Sequence, residues 1–158
     1  MPYIRVVRKT NEEESGQVIY VDTMEDAAEY LNEHEGNALL TTGSKLVEPY
    51  TKVKDFENRL YLRVLPTADA MESCKKFGFF GKHLIGMQGP FSVAMNIAML
   101  SEYNAKYLVT KESGSIGGFL EKLEAAKQVG AKVIVIRRPS AEEGISLEEM
   151  LERIDANR

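Results

Sequence analysis

The residues in this chain that could do chemistry are glycines and cations placed where apolar strands should end. Between a strand at Tyr107–Thr110 and a helix expected from about Gly118 to Gln128 runs Lys111-Glu-Ser-Gly-Ser-Ile-Gly-Gly118. Glycines at 114, 117 and 118 let backbone N–H groups at a helix start face an anion with no Cβ in the way. Lys111 and the hydroxyls of Ser113 and Ser115 add donors. The spacing is not the usual dinucleotide fingerprint, and a tight strand-to-helix turn with close packing is the plainer use of the same residues.

A second feature favours an anion. In the ordinary dinucleotide fold, an acidic residue about 20 positions beyond the glycine turn receives the ribose hydroxyls. Here the corresponding strand end carries Arg137-Arg138-Pro139. Two guanidiniums there would form bidentate bonds to a phosphate or a carboxylate, unless they are simply solvated. Lys45, after Thr41-Thr-Gly43-Ser44, and Arg63, shortly before Pro66, lie at or near the exits of neighbouring strands. Each alone reads as a surface charge. Together they predict a local positive field in a chain whose 20 Lys and Arg against 24 Asp and Glu leave a net charge of −4.

Other chemistry has less support. His34 and His83 have no ligand spacing, so no metal is expected, and His83 reads as a structural residue opening a strand. Cys74 has no partner positioned to activate it. No Gly-x-Ser-x-Gly elbow is present, and no general acid or base is evident. A single cysteine fits a reducing compartment. No apolar run reaches the roughly 20 residues that a bilayer requires, and the N-terminus lacks a secretory segment. The expectation is a cytoplasmic globular protein that binds neither nucleic acid nor membrane.

The elements that must position these residues alternate along the chain. Tyr3–Val7 and Val18–Val21 read as strands with no helix between them. Thr23 opens a helix that Gly36 ends. Strands follow at Ala38–Thr42, Leu60–Leu65, His83–Met87, Tyr107–Thr110 and Lys132–Arg137. Between them come a short helical segment including Leu46 and Val47, a helix over Asp69–Phe77, one from Ser92 to Tyr103 with Met95, Ile97 and Met99 as core, and the helix from Gly118. Ser146 to Glu149 opens a last helix with a capping box. Short, continuously apolar strands separated by helices predict an α/β protein: a three-layer αβα sandwich with a mainly parallel sheet. Its 158 residues suit one domain.

Arg63-Val-Leu-Pro66, Met87-Gln-Gly-Pro-Phe91 leading into Asn96, Leu108-Val-Thr-Lys-Glu-Ser-Gly114 with Gly117-Gly118, Lys122 and Ala125-Ala126, and Arg137-Arg-Pro139 follow one another along the chain. This succession closely resembles the precorrin-6A reductase family, as do Tyr3-Ile-Arg-Val-Val-Arg8 and Thr41-Thr-Gly-Ser-Lys45. The resemblance implies a Rossmann-like domain. It also implies NADPH-dependent reduction of a double bond in an anionic, carboxylate-bearing tetrapyrrole of cobalamin biosynthesis, with or without cobalt. Gly43, Lys111, Ser113, Gly114, Gly117 and Gly118 are the residues expected against the coenzyme. Lys45, Arg63, Arg137 and Arg138 are expected against substrate carboxylates. Members usually begin with a further Rossmann-like half that nothing here matches. The chain therefore resembles the C-terminal half over 1–158, poor or inactive as a catalyst without the N-terminal half. Its first strand, Tyr3–Val7, is a candidate for exchange in a homodimer. A non-catalytic nucleotide- or anion-binding module of the same fold is the alternative.

Overall fold

The structure, a computed structural model, describes residues 17–112 and 118–137. Within them a six-stranded parallel sheet comprises β1 (Val18–Val21), β2 (Asn37–Leu40), β3 (Leu60–Val64), β4 (Leu84–Gly86), β5 (Ala105–Lys111) and β6 (Lys132–Ile136). The strands lie in the order β1-β6-β5-β2-β3-β4. The helices are α1 (Met24–Glu33), α2 (Phe56–Arg59), α3 (Ala68–Lys76), α4 (Val93–Glu102) and α5 (Phe119–Val129), with 3-10 turns at Glu48–Lys52 and Gly81–His83.

Two apolar cores follow from the two-residue period of the strands. Ala38 and Leu40 of β2, Leu60, Leu62 and Val64 of β3, and Ile134 and Ile136 of β6 face α1, α3 and the Glu48–Lys52 turn. Leu39, Tyr61, Leu108, Val133 and Val135 face the other way, onto Met99 and Leu100 of α4 and Ala125 and Ala126 of α5. The small alanines bring α5 close to the sheet. The expected three-layer αβα sandwich is therefore present.

The order of strands decides where a ligand can enter. The connection from β1 to β2 passes over β6 and β5 in one direction, and that from β4 to β5 returns over β3 and β2 in the other. Right-handed crossovers then place α1 and α4 on opposite faces. Chains leaving β5 and β2 part to opposite faces, as do those leaving β3 and β4. Crevices at the carboxyl edge of the sheet result.

Several local readings hold. Thr23, Thr67 and Ser92 cap α1, α3 and α4, their side chains accepting hydrogen bonds from the backbone N–H groups of Asp26, Ala70 and Met95. The imidazole Nδ1 of His83 lies 2.9 Å from the Leu60 carbonyl and the ring stacks on Tyr61, a structural role as expected. Other readings need correction. Leu46 and Val47 precede the Glu48–Lys52 turn rather than forming a helix, with Leu46 57% exposed and Val47 buried. Met95 is 39% exposed and belongs to neither core, unlike Met99. The strand at Tyr3–Val7 and the helix opening at Ser146 lie outside the described residues.

Helix α2 is a single turn that the sequence pattern does not announce. It delivers Arg59, whose Nη2 donates to the carbonyls of Leu31, His34 and Gly36 at 3.0, 2.7 and 2.8 Å, while Nε donates to Gly36 at 2.9 Å. A cation thus satisfies the orphan carbonyls behind α1, where the helix dipole is negative. Arg59→Ala should cost about 1.5–3 kcal/mol in urea unfolding. Arg59→Lys should recover less than half, because an ammonium cannot fork between carbonyls.

Candidate functional site at the carboxyl edge of the sheet

Arg63 sits near the end of β3, on the face covered by α4 and α5, and is only 5% exposed. A charge so placed needs partners, and α4 supplies them. Its Nη1 donates to Oδ1 of the fully buried Asn96 at 3.0 Å and approaches the sulfur of Met99 at 3.3 Å. The Asn96 amide is itself fixed, its Nδ2 donating to the Ser92 carbonyl at 2.9 Å. The Phe91 ring lies 3.7 Å from the guanidinium carbon, a cation–π contact. Among the described residues no carboxylate pairs with Arg63, and its Nε and Nη2 donate to no protein acceptor. Desolvation lowers the Arg63 pKa to about 10.

Lys122 joins it from α5, one turn beyond Gly118. Its ammonium donates to the Thr110 hydroxyl of β5 at 2.9 Å. Burial, and secondarily the positive charge of Arg63, lowers its pKa to about 8. Two partly or wholly desolvated cations thus line one cleft of about 360 Å³, with no carboxylate among its described lining residues. Thr41 and Gly43 of the β2 exit, Leu65, Met87 and Pro90 complete its wall. The Thr41 backbone N–H and hydroxyl both donate to the Val109 carbonyl, at 2.9 and 2.8 Å, and Thr42 bonds the buried Tyr50 hydroxyl at 2.9 Å. The loop bearing Gly43 is thereby pinned.

Two glycines keep this cleft open. Gly43 and Gly118 have φ of +89° and +87°, and a Cβ added at either would meet no atom within 4 Å. Gly118 is the N-cap of α5 and gives it no side-chain cap, the arrangement in which helix-opening N–H groups can meet an anion.

A second cleft, of about 350 Å³, lies on the opposite face of the same edge. It gathers Lys111 and Arg137 with Asp22, the start of α1, Leu46 and Pro49. Arg137 is ion-paired to Asp22 at 2.7 Å, and its guanidinium carbon lies 5.3 Å from the Tyr20 ring centroid.

The single basic cradle expected from the sequence is accordingly two. Arg63, Gly43 and Gly118 meet in the first cleft, and Lys111 and Arg137 in the second. Lys45 is exposed and lines neither. Parity separates Arg63, which shares its sheet face with Tyr61, from Lys111, which shares the opposite face with Val109; Arg137, one residue past β6, reaches the second cleft through its ion pair with Asp22. Ser113, Gly114, Gly117 and Arg138 lie outside the described residues. Lys122, Asn96 and Phe91 carried no role in the sequence reading beyond their place in the motif succession. Cys74 is buried, and burial pushes its thiol pKa up, away from nucleophilic use. Among the described residues no group of His, Cys, Asp and Glu is placed to hold a metal ion. No helix there is long and apolar enough to cross a membrane.

The family model of the precorrin-6x reductases CbiJ/CobK matches residues 1–155. The chain belongs to this family. It is 39% identical over 146 residues to the cobalt-precorrin-6A reductase of Priestia megaterium, covering 91% of this chain and 57% of that protein. With the cobalt-precorrin-6A reductase of Methanococcus maripaludis it shares 32% over 156 residues, 98% of this chain and 60% of the relative. The chain thus spans well under two thirds of either relative. Among solved structures, a CobK precorrin-6A reductase superposes with a TM-score of 0.61 at 20% identity, covering 88% of this chain and 55% of the other. That likeness is one of fold, and it agrees with a Rossmann-like sheet.

The lowered pKa of Lys122 has a consequence for stability. The unfolded chain binds this proton up to the ordinary value of 10.5, the folded chain only up to about 8. Between these values the unfolded state holds more protons, so folding stability from this group rises with pH. Lys122→Met should therefore be more stable than the parent below pH 8, and the advantage should vanish by about pH 10.5. Thermal unfolding of both proteins across that range, without ligand, checks the sign.

Proposed function

We propose that this chain is the substrate-anchoring part of an NADPH-dependent precorrin-6A or cobalt-precorrin-6A reductase of cobalamin biosynthesis. The observation that carries the reading is Arg63: a guanidinium buried at a strand exit, braced by Asn96 and Phe91, whose Nε and Nη2 donate to no acceptor among the described residues, in a chain of this family. A tetrapyrrole bearing several carboxylates supplies such anions, and the apolar wall of Leu65, Met87 and Pro90 suits the flank of a flat macrocycle.

The residues present also suit a nicotinamide coenzyme. The uncapped start of α5, with Gly43 and Gly118 open to the cleft, accepts a phosphate by the same physics that places pyrophosphates at helix N-termini. When bound, the reduced nicotinamide supplies a hydride for one macrocycle carbon. The chain's own residues then bind, orient and exclude water. Arg63 fixes a carboxylate bidentately, the Asn96–Ser92 link prevents its guanidinium from turning, and Phe91 covers its face. Lys111 lines the second cleft beside Asp22, Glu25 and Glu112, with Arg137 paired to Asp22, so the anion-binding reading rests on the first cleft. The sequence present in the relatives but not spanned by this chain provides the remaining wall, so the chain alone turns over slowly or not at all.

Two measurements test the reading. Titration of a uroporphyrin-type polycarboxylate and of NADP into the purified chain should show saturable binding. Arg63→Met should weaken the polycarboxylate about tenfold to a hundredfold, as loss of a charged hydrogen bond does. Adding the portion of the Priestia megaterium relative that this chain does not span should yield NADPH oxidation dependent on cobalt-precorrin-6A. Binding without turnover in a well-folded mixture would favour a non-catalytic anion-binding module. Absence of binding would remove both readings.

A further inference from the structure

A reduction that adds a hydride to one carbon of a double bond must also deliver a proton to its neighbour. Resting on the reductase reading, we infer that Lys122 is the proton donor of this reaction and that Arg63 is the anchor opposite it. The inference begins with elimination. Among the described residues lining the first cleft, Arg63 and Lys122 alone are ionisable. A guanidinium does not release its proton in water near neutrality, so it serves as a charge and not as an acid. Lys122 remains as the group able to give one up.

Its placement suits the role. The ammonium sits on the rigid first half of α5, which packs on both the sheet and α4. Its hydrogen bond to the buried Thr110 hydroxyl uses one of three N–H donors and aims the head group at the cleft. The described groups that share its cleft or its hydrogen bond can be named. Arg63 of β3 is a cation, while Thr110 of β5, Thr41 just past β2 and Asn96 of α4 are uncharged. Helix α4 carries no ionisable residue before Glu102 at its far end, and Glu121, the neighbour on α5, makes no ion pair with Lys122. Such surroundings make the ammonium a stronger acid than an exposed lysine, yet still charged near neutral pH.

The balance closes. The reduced nicotinamide provides two electrons and one hydrogen as hydride, and the macrocycle double bond becomes single. The electron pair left on the adjacent carbon takes H+ from the Lys122 ammonium. The amine that remains recovers a proton from water after product leaves. Because docked carboxylates stabilise the ammonium, substrate binding itself charges this group. The alkaline fall of kcat/KM, which reports the free enzyme, should lie near pH 8, and that of kcat should lie higher.

The test uses this chain together with the unspanned portion of the Priestia megaterium relative, NADPH and cobalt-precorrin-6A. Lys122→Met should lower kcat by about 100-fold or more, a larger effect than the rise in KM of about tenfold or less that loss of its charge brings. Lys122→Arg, which keeps the charge but not the transferable proton, should be nearly as slow and should lose the alkaline limb. Lys122→Arg, which keeps the charge, should bind the polycarboxylate close to the parent, Lys122→Met should bind it more weakly, and circular dichroism with thermal unfolding of both variants vouches for folding. A Lys122→Met variant with unaltered kcat, or one in which only KM rises, would overturn the donor and leave the reductase reading standing. A parent mixture that binds the polycarboxylate but never oxidises NADPH would instead overturn the reductase reading, and the donor with it.

Discussion

The arrangement depends on one buried charge. A strand in the interior of a parallel sheet is covered on both faces, and β3 obeys that rule with Leu60, Tyr61, Leu62 and Val64. Arg63 breaks it. Desolvating a guanidinium is costly, and an internal carboxylate would be the usual remedy. The protein uses weaker partners: an amide oxygen, a thioether and an aromatic face. These fix the side chain while no carboxylate among the described residues pairs with it, which leaves it suited to an anion from outside. A second cation at Lys122 sharpens the same bias. Preorganised charge of this kind does not have to reorient when the ligand arrives.

Topology explains why the basic residues fall into two groups. All lie near strand exits, and the carboxyl edge is where an open α/β sheet binds ligands. Yet the edge has two sides, set by crossovers running in opposite directions. Arg63 and Lys122 face the α4–α5 side, Lys111 and Arg137 the α1 side. Two clefts back to back on one edge suit a ligand set larger than either volume. They also suit a protein whose relatives are considerably longer than this chain.

Much of the fold was legible because it rests on local signals. Continuous apolar runs such as Val133 to Ile136 admit no exposed face. Thr23, Thr67 and Ser92 have the side-chain oxygens that helix starts need, and glycine or proline closes most elements. Failures came where nonlocal packing decided. Leu46 looks like a helix residue but lies on the surface beside the second cleft, while the polar Phe56–Arg59 turn exists to carry a cation to α1. The site was legible only as a list of cations and glycines. Which of them meet depends on residue parity within strands and on the adjacency of β5, β2 and β3, which no short window of sequence contains. Parity was available: Arg63 is two residues from Tyr61 and shares its face. Asn96 and Lys122, 33 and 59 positions beyond Arg63, had no such marker.

The pairing of Arg63 with Lys122 also constrains how the two can divide their work. Placing like charges in one desolvated cleft raises the free energy of the ligand-free protein. The strain is relieved in either of two ways: an anion enters or a proton leaves. Arginine, whose proton is held far above neutrality, can use only the first route. Lysine can use both, and the neighbouring guanidinium makes the second easier. The same pair of positions with two arginines would bind an anion as well but could not exchange a proton with it, whereas two lysines would share the titration and leave no fixed anchor. One residue of each type, on separate elements and lining a common space, is the combination the proposed roles require: a fixed charge for a carboxylate and a neighbouring group able to exchange a proton.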